Sequence, residues 1–485
     1  MTDLASAALD AAMRPGVVYA DVRVVETRDR SLSTKNGRPG NISCGESIGV
    51  GIRVLAEGCW GFAATDDLTP EGLQSAAALA ISIARASALT KKKDLELAPE
   101  DKHVSTWVST CAIDPFSISV EEQLGLLLSV DAELRKNREV TLAEASLHFE
   151  RARQVFASSA GSMIDQTRTT TGGGYEAHCF KGDEIQKRSY PNSFAGQYQL
   201  KGYELIHELE LLKHAPRVAE EAVALHSAEQ CPEGVFDLIL DSSQLGLQIH
   251  ESIGHPIELD RVLGSEANYA GMSFLTLDKL NNLRYGSDIV NAVCDAREEH
   301  GPGLGTFAFD DEGVPAQCTP IIRAGEFVGY MTSRETAAAI GATRSNGTMR
   351  ADSWNRLPLI RMTNVSLLPG EQSLDEVFGG VDHAIYMETN KSWSIDDKRY
   401  NFQFGCEVGW EIRNGKRVRM LKNPTYSGIT TEFWNSCEAI AGRDHWTLWG
   451  VPNCGKGQPE QVMGTGHGAS PARFRAIRVG TGYAG

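Results

Sequence analysis

No stretch of the 485-residue sequence approaches the roughly 18 uncharged apolar residues of a membrane-spanning helix, so a helical membrane protein is not expected. Basic residues are in deficit as well: 47 Lys and Arg stand against 63 Asp and Glu, a formal charge of −16. A chain of that sign is a poor general ligand for nucleic acid, because such binding rests on Lys and Arg neutralising phosphates, and it suits an anionic membrane surface no better. None of the ten cysteines forms a CxxC pair, and their spacings are wide and irregular. In a long chain that pattern reads as the reduced thiols of a cytosolic protein. Met1-Thr2-Asp3-Leu4 lacks a basic stretch ahead of an apolar run, so no export signal is expected and cytoplasm is the predicted compartment. Internal repeats and low-complexity tracts are missing too.

What is present is the composition of a globular chain, 41% hydrophobic and 23% charged. The length suits two to four domains of about 100–200 residues and buries enough surface to need no disulfide or metal for its core. Tyr19–Val25 and Ile48–Leu55 alternate with period two and read as strands, the second continuing as a hairpin through Gly58–Phe62. Thr69 and Pro70 mark the start of a helix reaching about Ser87, and Ser119 with Glu122 marks another through Leu134. Val140 to Leu200 reads as an antiparallel meander, with Gly172-Gly173-Gly174 as a flexible turn inside it. Lys201 to His226 reads as helix, and Cys231-Pro232-Glu233-Gly234 breaks it. The predicted organisation is α+β with a boundary near residue 230: an amino-terminal α/β domain over 1–230 and a mainly β domain over 231–485. Asn414-Gly415 marks a hairpin in the latter.

The chemistry concentrates in Phe236 to Pro256. Phe236–Leu240 is a buried-strand run, and Ser242 or Ser243 can cap a helix whose apolar stripe is Leu245, Ile249 and Ile253. His250-Glu251 and His255 follow. In the HExxH zinc motif the two imidazoles differ by only about 40° around a helix, whereas a spacing of five places them about 140° apart. An unbroken α-helix could not aim both at one ion. Gly254 is read as the terminator, and Pro256 is expected to push His255 into an extended conformation that swings it back toward His250. Capping or core histidines are the competing reading, and spacing cannot choose a third ligand among the remaining Cys, His, Asp and Glu.

The segment HESIGHPIELD resembles the HEAxGHxxExD signature of the TldD/PmbA family, cytosolic metallopeptidases also known as gyrase modulators. The resemblance extends over most of the chain, through YADVRVVETR, SIGVGIRVLAEGCWGFAATDDL, FDDEGVPAQCTPIIRAGEFVGYMTSRETAAAIG and RMTNVSLLPGE. Asn453-Cys454-Gly455-Lys456 is similar to the family's CGK segment, whose cysteine is the third zinc ligand, which implies His250, His255 and Cys454 as the ligand set. The residues alone rank Cys454 level with Cys437 and Cys406. The intact HExxxH implies the TldD branch, since the PmbA (TldE) branch generally lacks it.

The resemblance implies a two-domain fold whose mainly β second domain carries the zinc-ligand helix. It also implies a zinc-dependent peptidase acting on unfolded or flexible polypeptides such as leader segments, working as a homodimer or with a PmbA (TldE)-like subunit. Glu251 is then the candidate general base, taking the proton of the attacking water and passing it to the leaving amine. Glu258 and Asp260 match the signature and are expected to orient the ligands from behind. Tyr330, Arg344 and His467 are candidates to stabilise an oxyanion, and Trp60, Trp354 and the segment Gly325–Thr332 to line a groove, each against an ordinary structural role. A thiolate ligand favours zinc over iron or manganese. The rival reading is a non-catalytic regulatory protein with a structural metal. A third reading, a metal-dependent amidase or deaminase on small molecules, is disfavoured because no HxE…PCxxC pattern occurs.

Overall fold

Alternating burial along Val17–Lys35 makes this long strand the spine of the first half. In the computed structural model, which describes residues 1–480, it pairs antiparallel with Arg38–Ala56 on one side and Leu142–Ser158 on the other. The sheet runs Cys59–Thr65, Arg38–Ala56, Val17–Lys35, Leu142–Ser158, Met163–Lys181, Val104–Val108, with Glu184–Tyr190 and Gln197–Gln199 also on Met163–Lys181. Helices Thr2–Ala12 and Pro70–Ala88 cover one end with alanines against Val22, Val24, Val50, Ile52 and Val54. Small residues are required there, since a Cβ on Gly61 would lie 1.9 Å from the carbonyl oxygen of Ala80. Helices Val120–Leu134 and Leu211–Ser227 cover the other end. Thr69 and Ser119 cap their helices as expected, accepting from the amides of Gly72 and Glu122 at 3.1 Å each.

The three successive glycines are not a turn. Gly172, Gly173 and Gly174 lie inside the strand Met163–Lys181, where the Tyr198 ring, Leu147 and the Tyr190 carbonyl occupy the space of their missing side chains. Period-two reasoning misses this because glycine carries no alternation; close approach of a neighbour is the reason for it.

The second half contains an eight-stranded sheet centred on Gly234–Leu240, Ala472–Val479 and Asn401–Arg413. A six-stranded sheet beside it ends in the hairpin Gln461–Ala469 and Thr447–Lys456. Asn414 and Gly415 both have positive φ (47° and 73°), the backbone of the expected tight hairpin. Helix Ser242–Ile249 is held between the sheets, touching His383–Ile395 on one side and Asn364–Leu367, Gln461–Ala469 and Thr447–Lys456 on the other. It is therefore buried all round: Tyr426 bridges Gln244 and Gln248 and Trp449 donates to Ser242, while Ser243 Oγ and Gln248 Nε2 have no partner among the described residues. Among the described residues no helix is long and apolar enough to cross a membrane.

Buried charges join the halves. Arg53 is 3% exposed; it donates to Asp21 at 2.7 to 3.2 Å and to Glu312 at 3.1 Å, and its guanidinium lies 4.2 Å from the Trp60 ring centroid. Trp60 thus packs within this junction. Arg53→Met leaves two buried carboxylates short of a partner and is expected to lower stability by about 3–5 kcal/mol. A urea midpoint indistinguishable from wild type would contradict that expectation.

Candidate metal centre

Asp241, not Ser242 or Ser243, caps the ligand-bearing helix, its carboxylate accepting from the amides of Ser243 and Gln244 at 2.9 and 3.1 Å. Beyond Ile249 the helix does not stop. His250–Gly254 forms a π-helical turn in which the amide of His255 donates to the carbonyl of His250, and His255–Ile257 continues as a 3₁₀ turn. The expected extended conformation of His255 is therefore corrected: its φ and ψ are −64° and −41°. An i→i+5 hydrogen bond widens the turn and stacks residues five apart on one face, as an α-turn stacks residues four apart. Gly254 is likewise no terminator. Its Cα faces Met362, whose sulfur would lie 2.1 Å from an added Cβ, so glycine lets the wide turn pack.

That turn brings His250 and His255 together with Cys454 from the strand Thr447–Lys456. One donor atom from each lies within 4.8 Å of the others, all three residues being buried. His255 Nε2 lies 3.8 Å from Cys454 Sγ. Tetrahedral zinc with N and S ligands at about 2.0–2.1 and 2.3 Å spans an edge of about 3.6 Å, so the donor set and spacing fit that ion.

Hydrogen bonds behind the imidazoles select the free nitrogens. His467 Nδ1 lies 3.0 Å from the Val365 carbonyl, which can only accept, so Nδ1 carries the proton and Nε2 accepts. His250 Nδ1, 2.7 Å from that Nε2, must then donate, which leaves His250 Nε2 with its lone pair. His255 Nδ1 donates to Glu258 at 3.0 Å, leaving its Nε2 facing Cys454. Burial holds all three imidazoles below the ordinary value of 6.5, hence neutral as a metal requires. For Cys454 burial opposes ionisation, yet the thiol stands below its usual value, with the Arg361 guanidinium foremost among the groups that favour the thiolate. Burial instead pushes Cys437 up to about 12 and Cys406 well upward, which separates Cys454 from the two cysteines that sequence ranked beside it.

The PmbA/TldA metallopeptidase C-terminal domain matches residues 233–480, and the PmbA/TldA metallopeptidase domain 1 matches residues 20–84. The chain belongs to the PmbA/TldD metallopeptidase family. A metalloprotease of Methanocaldococcus jannaschii is 27% identical over 454 residues, which is 93% of this chain and 95% of that one. The metalloprotease TldD homolog of Haemophilus influenzae is 25% identical over 460 residues, 93% and 91% of the two chains. A zinc metalloprotease TldD homolog of Saccharolobus solfataricus is 31% identical over 251 residues, 52% of each chain. Among solved structures, TldE from Thermococcus kodakarensis superposes with a TM-score of 0.71 at 14% identity, over 98% of this chain and 99% of that one. A Thermotoga maritima protein named as a candidate modulator of a DNA gyrase gives 0.77 at 18% identity over 99% of both chains. At those identities the likeness is one of fold.

The signature carried by this PmbA/TldD family member is wired as one buried charge cluster. Glu258 meets His255, Arg261 (3.6 Å) and Lys456 (3.5 Å). Lys456 also reaches Asp260 at 2.7 Å and Glu266 at 3.3 Å. Cys454 and Lys456 sit two apart on one strand, so one faces the imidazoles while the other grips the acidic residues that follow His255. Glu251 is paired through Oε2 with Arg399 Nη1 at 2.6 Å. Sequence reasoning missed Arg399, which lies in the loop between His383–Ile395 and Asn401–Arg413 with φ of 64°. Its only sequence signal is a charged Asp-Asp-Lys-Arg interruption between two strand runs.

The remaining candidates have other partners. Tyr330 donates to the carbonyls of Leu275 and Thr276, and exposed Arg344 pairs with Glu100. The neighbour of Tyr330, Met331, holds the ligand turn by main-chain bonds to Ile257 and Leu259 at 2.9 and 3.1 Å. Trp354 packs on Gly49 and donates to Ser47. His467 stands behind His250 rather than facing an oxyanion.

Two outcomes follow from this arrangement. His467→Leu frees the His250 tautomer and is expected to weaken zinc binding by about 10–100-fold, read by chelator competition, while His467→Gln keeps an acceptor and part of the affinity. Undiminished affinity in the leucine variant would refute the tautomer assignment. In the metal-free chain, the unfolded state takes up protons near 6.5 that the buried imidazoles refuse, so stability falls as pH drops below about 6.5. The melting temperature of the metal-free chain should be lower at pH 5.5 than at 7.5.

Proposed function

We propose that this chain is a zinc-dependent peptidase that hydrolyses unfolded or flexible polypeptides, with His250, His255 and Cys454 holding the metal and Glu251 as general base. The observation that carries the reading is the convergence of three buried donors beside a carboxylate, in a chain of the PmbA/TldD metallopeptidase family. Zinc, when bound, supplies a Lewis acid for the scissile carbonyl and acidifies water. Arg399 holds Glu251 Oε2 and so fixes the carboxylate plane, which leaves Oε1 to accept the proton of the attacking water. The same oxygen returns that proton to the departing amine. His467 and Glu258 keep each imidazole in the tautomer whose Nε2 is a donor to metal.

This reading includes the division at about residue 230 into an amino-terminal α/β domain and a carboxy-terminal peptidase domain. It also includes a cytoplasmic setting and a dimer formed with itself or with a TldE-like subunit. The shared fold with TldE supports the last point, since paired subunits of one fold can enclose a site between them.

Glu251→Gln keeps the size and the Arg399 contact but removes the base. It should retain one zinc per chain and lose about 10²–10⁴-fold in hydrolysis of unfolded casein. Retained zinc with undiminished cleavage would place the base elsewhere, and a wild type that binds no metal would remove the basis of the assignment.

A further inference from the structure

A cavity of about 170 Å³ lies where the first-half sheet meets the terminal hairpin. Its walls include Glu150 and Arg168 from the sheet, and Arg350, Asp352, Pro452 and Met463 from the second half. Arg350 is 3% exposed, yet no carboxylate lies within 4 Å of it among the described residues. Its two terminal nitrogens donate to the carbonyls of Met362, Gly464 and Leu304, while Nε has no partner. Arg168 has no hydrogen-bond or ion-pair partner among the described residues either. A buried guanidinium with no carboxylate in contact is costly; Asp311 offsets only part of that cost, and a second cation facing the same space raises it. Burial and the nearby Arg168 accordingly bring Arg350 down to about 9.

We propose that this cavity is a subsite for the carboxylate end of a peptide, the anion lying between Arg168 and Arg350. Asp352 is already engaged, accepting from the amide of Val462 at 3.1 Å and standing 3.7 Å from Arg356. Glu150, which has no hydrogen-bond or ion-pair partner among the described residues, is left to accept the peptide N–H that precedes the carboxylate. The place is consistent with a substrate role. Pro452 is two residues from Cys454 on one strand, and Met463 is the cross-strand partner of Cys454. Two residues of strand cover about 7 Å, so the cavity wall lies within a few residues' reach of Cys454. The inference rests on the peptidase reading for its occupant but not for the site itself.

The test is calorimetric binding of N-acetyl-tetra-alanine, as free acid and as carboxamide, to the zinc-loaded full chain carrying Glu251→Gln, which does not consume the probe. The free acid is expected to bind at least about tenfold tighter, the scale of one charge-assisted hydrogen-bonded pair. Arg168→Gln, at a half-buried position outside the metal cluster, should erase that preference without lowering the melting temperature, and Arg168→Lys should restore part of it. Equal binding of acid and amide, or a preference that survives Arg168→Gln, overturns the proposal. So does Arg168-dependent binding of inorganic phosphate without binding of the peptide acid, which would mark a site for a free oxyanion. Cleavage of both probes by the Glu251 chain with equal binding would sink the subsite and leave the peptidase standing. An acid preference in a chain that cleaves nothing would do the reverse.

Discussion

One main-chain hydrogen bond, from the amide of His255 to the carbonyl of His250, decides whether the two imidazoles can serve one ion. A regular α-helix would separate them by about 140°, and no side-chain rotation alone recovers that. The widened turn does, but it takes the normal partners from nearby main-chain groups in a fully buried segment. Buried side chains meet them: the Ser252 hydroxyl donates to the Gln248 carbonyl at 2.5 Å, Tyr285 donates to the Ser252 carbonyl, and Trp434 donates to the Ser252 hydroxyl at 3.0 Å. Isolated, such a turn would relax to α-helix. Between two sheets, with Met362 against Gly254, it has no room to do so.

The charge cluster beyond His255 has a related logic. Glu258, Asp260 and Glu266 face Lys456 and Arg261 in a site nearly free of water, and burial with neighbouring carboxylates holds Glu266 above the ordinary range. Such a cluster is a poor source of net stability, because desolvation offsets most of the attraction. What it provides is geometry. Lys456 ties the strand of Cys454 to the segment after His255, so these two candidate donors from distant parts of the chain cannot drift apart without exposing unpaired charge.

Much of this was legible in residue order. Thr69-Pro70, Ser119 and Asn414-Gly415 announce local structure through backbone chemistry that needs no tertiary context. The segment that supplies two of the three clustered donors stood out by residue type, and the resemblance to the TldD/PmbA family implied Cys454 as the third. The manner in which His255 reaches His250 was not legible. Gly254 and Pro256 carry the signals of a helix end, and only the packing of Met362 and the two sheets turns them to another use. Arg399 and His467 were illegible as partners for the same reason, since sequence separations of 148 and 217 residues encode no contact. Gly172–Gly174 failed differently: glycine marks a freedom, and here the freedom is space for Tyr198 rather than a turn.

All donors of the candidate metal cluster, and Arg399 and His467 around them, come from the second half, so the first half contributes none of them. Its long strands do something else. Through Arg53 with Glu312, and Gln154 with Asp311 at 2.7 Å, they lock onto the loop 310–312 and present one sheet face across the terminal hairpin. On the reading proposed above, chemistry and selection are divided between the halves. The second half holds a rigid, buried cluster that tolerates little variation, while the first supplies a wall whose outward residues can change without disturbing it. A flexible polypeptide offers mainly backbone and chain ends for recognition, and a wall carrying unpaired charge beside a fixed metal cluster suits such a substrate better than a pocket shaped for one side chain.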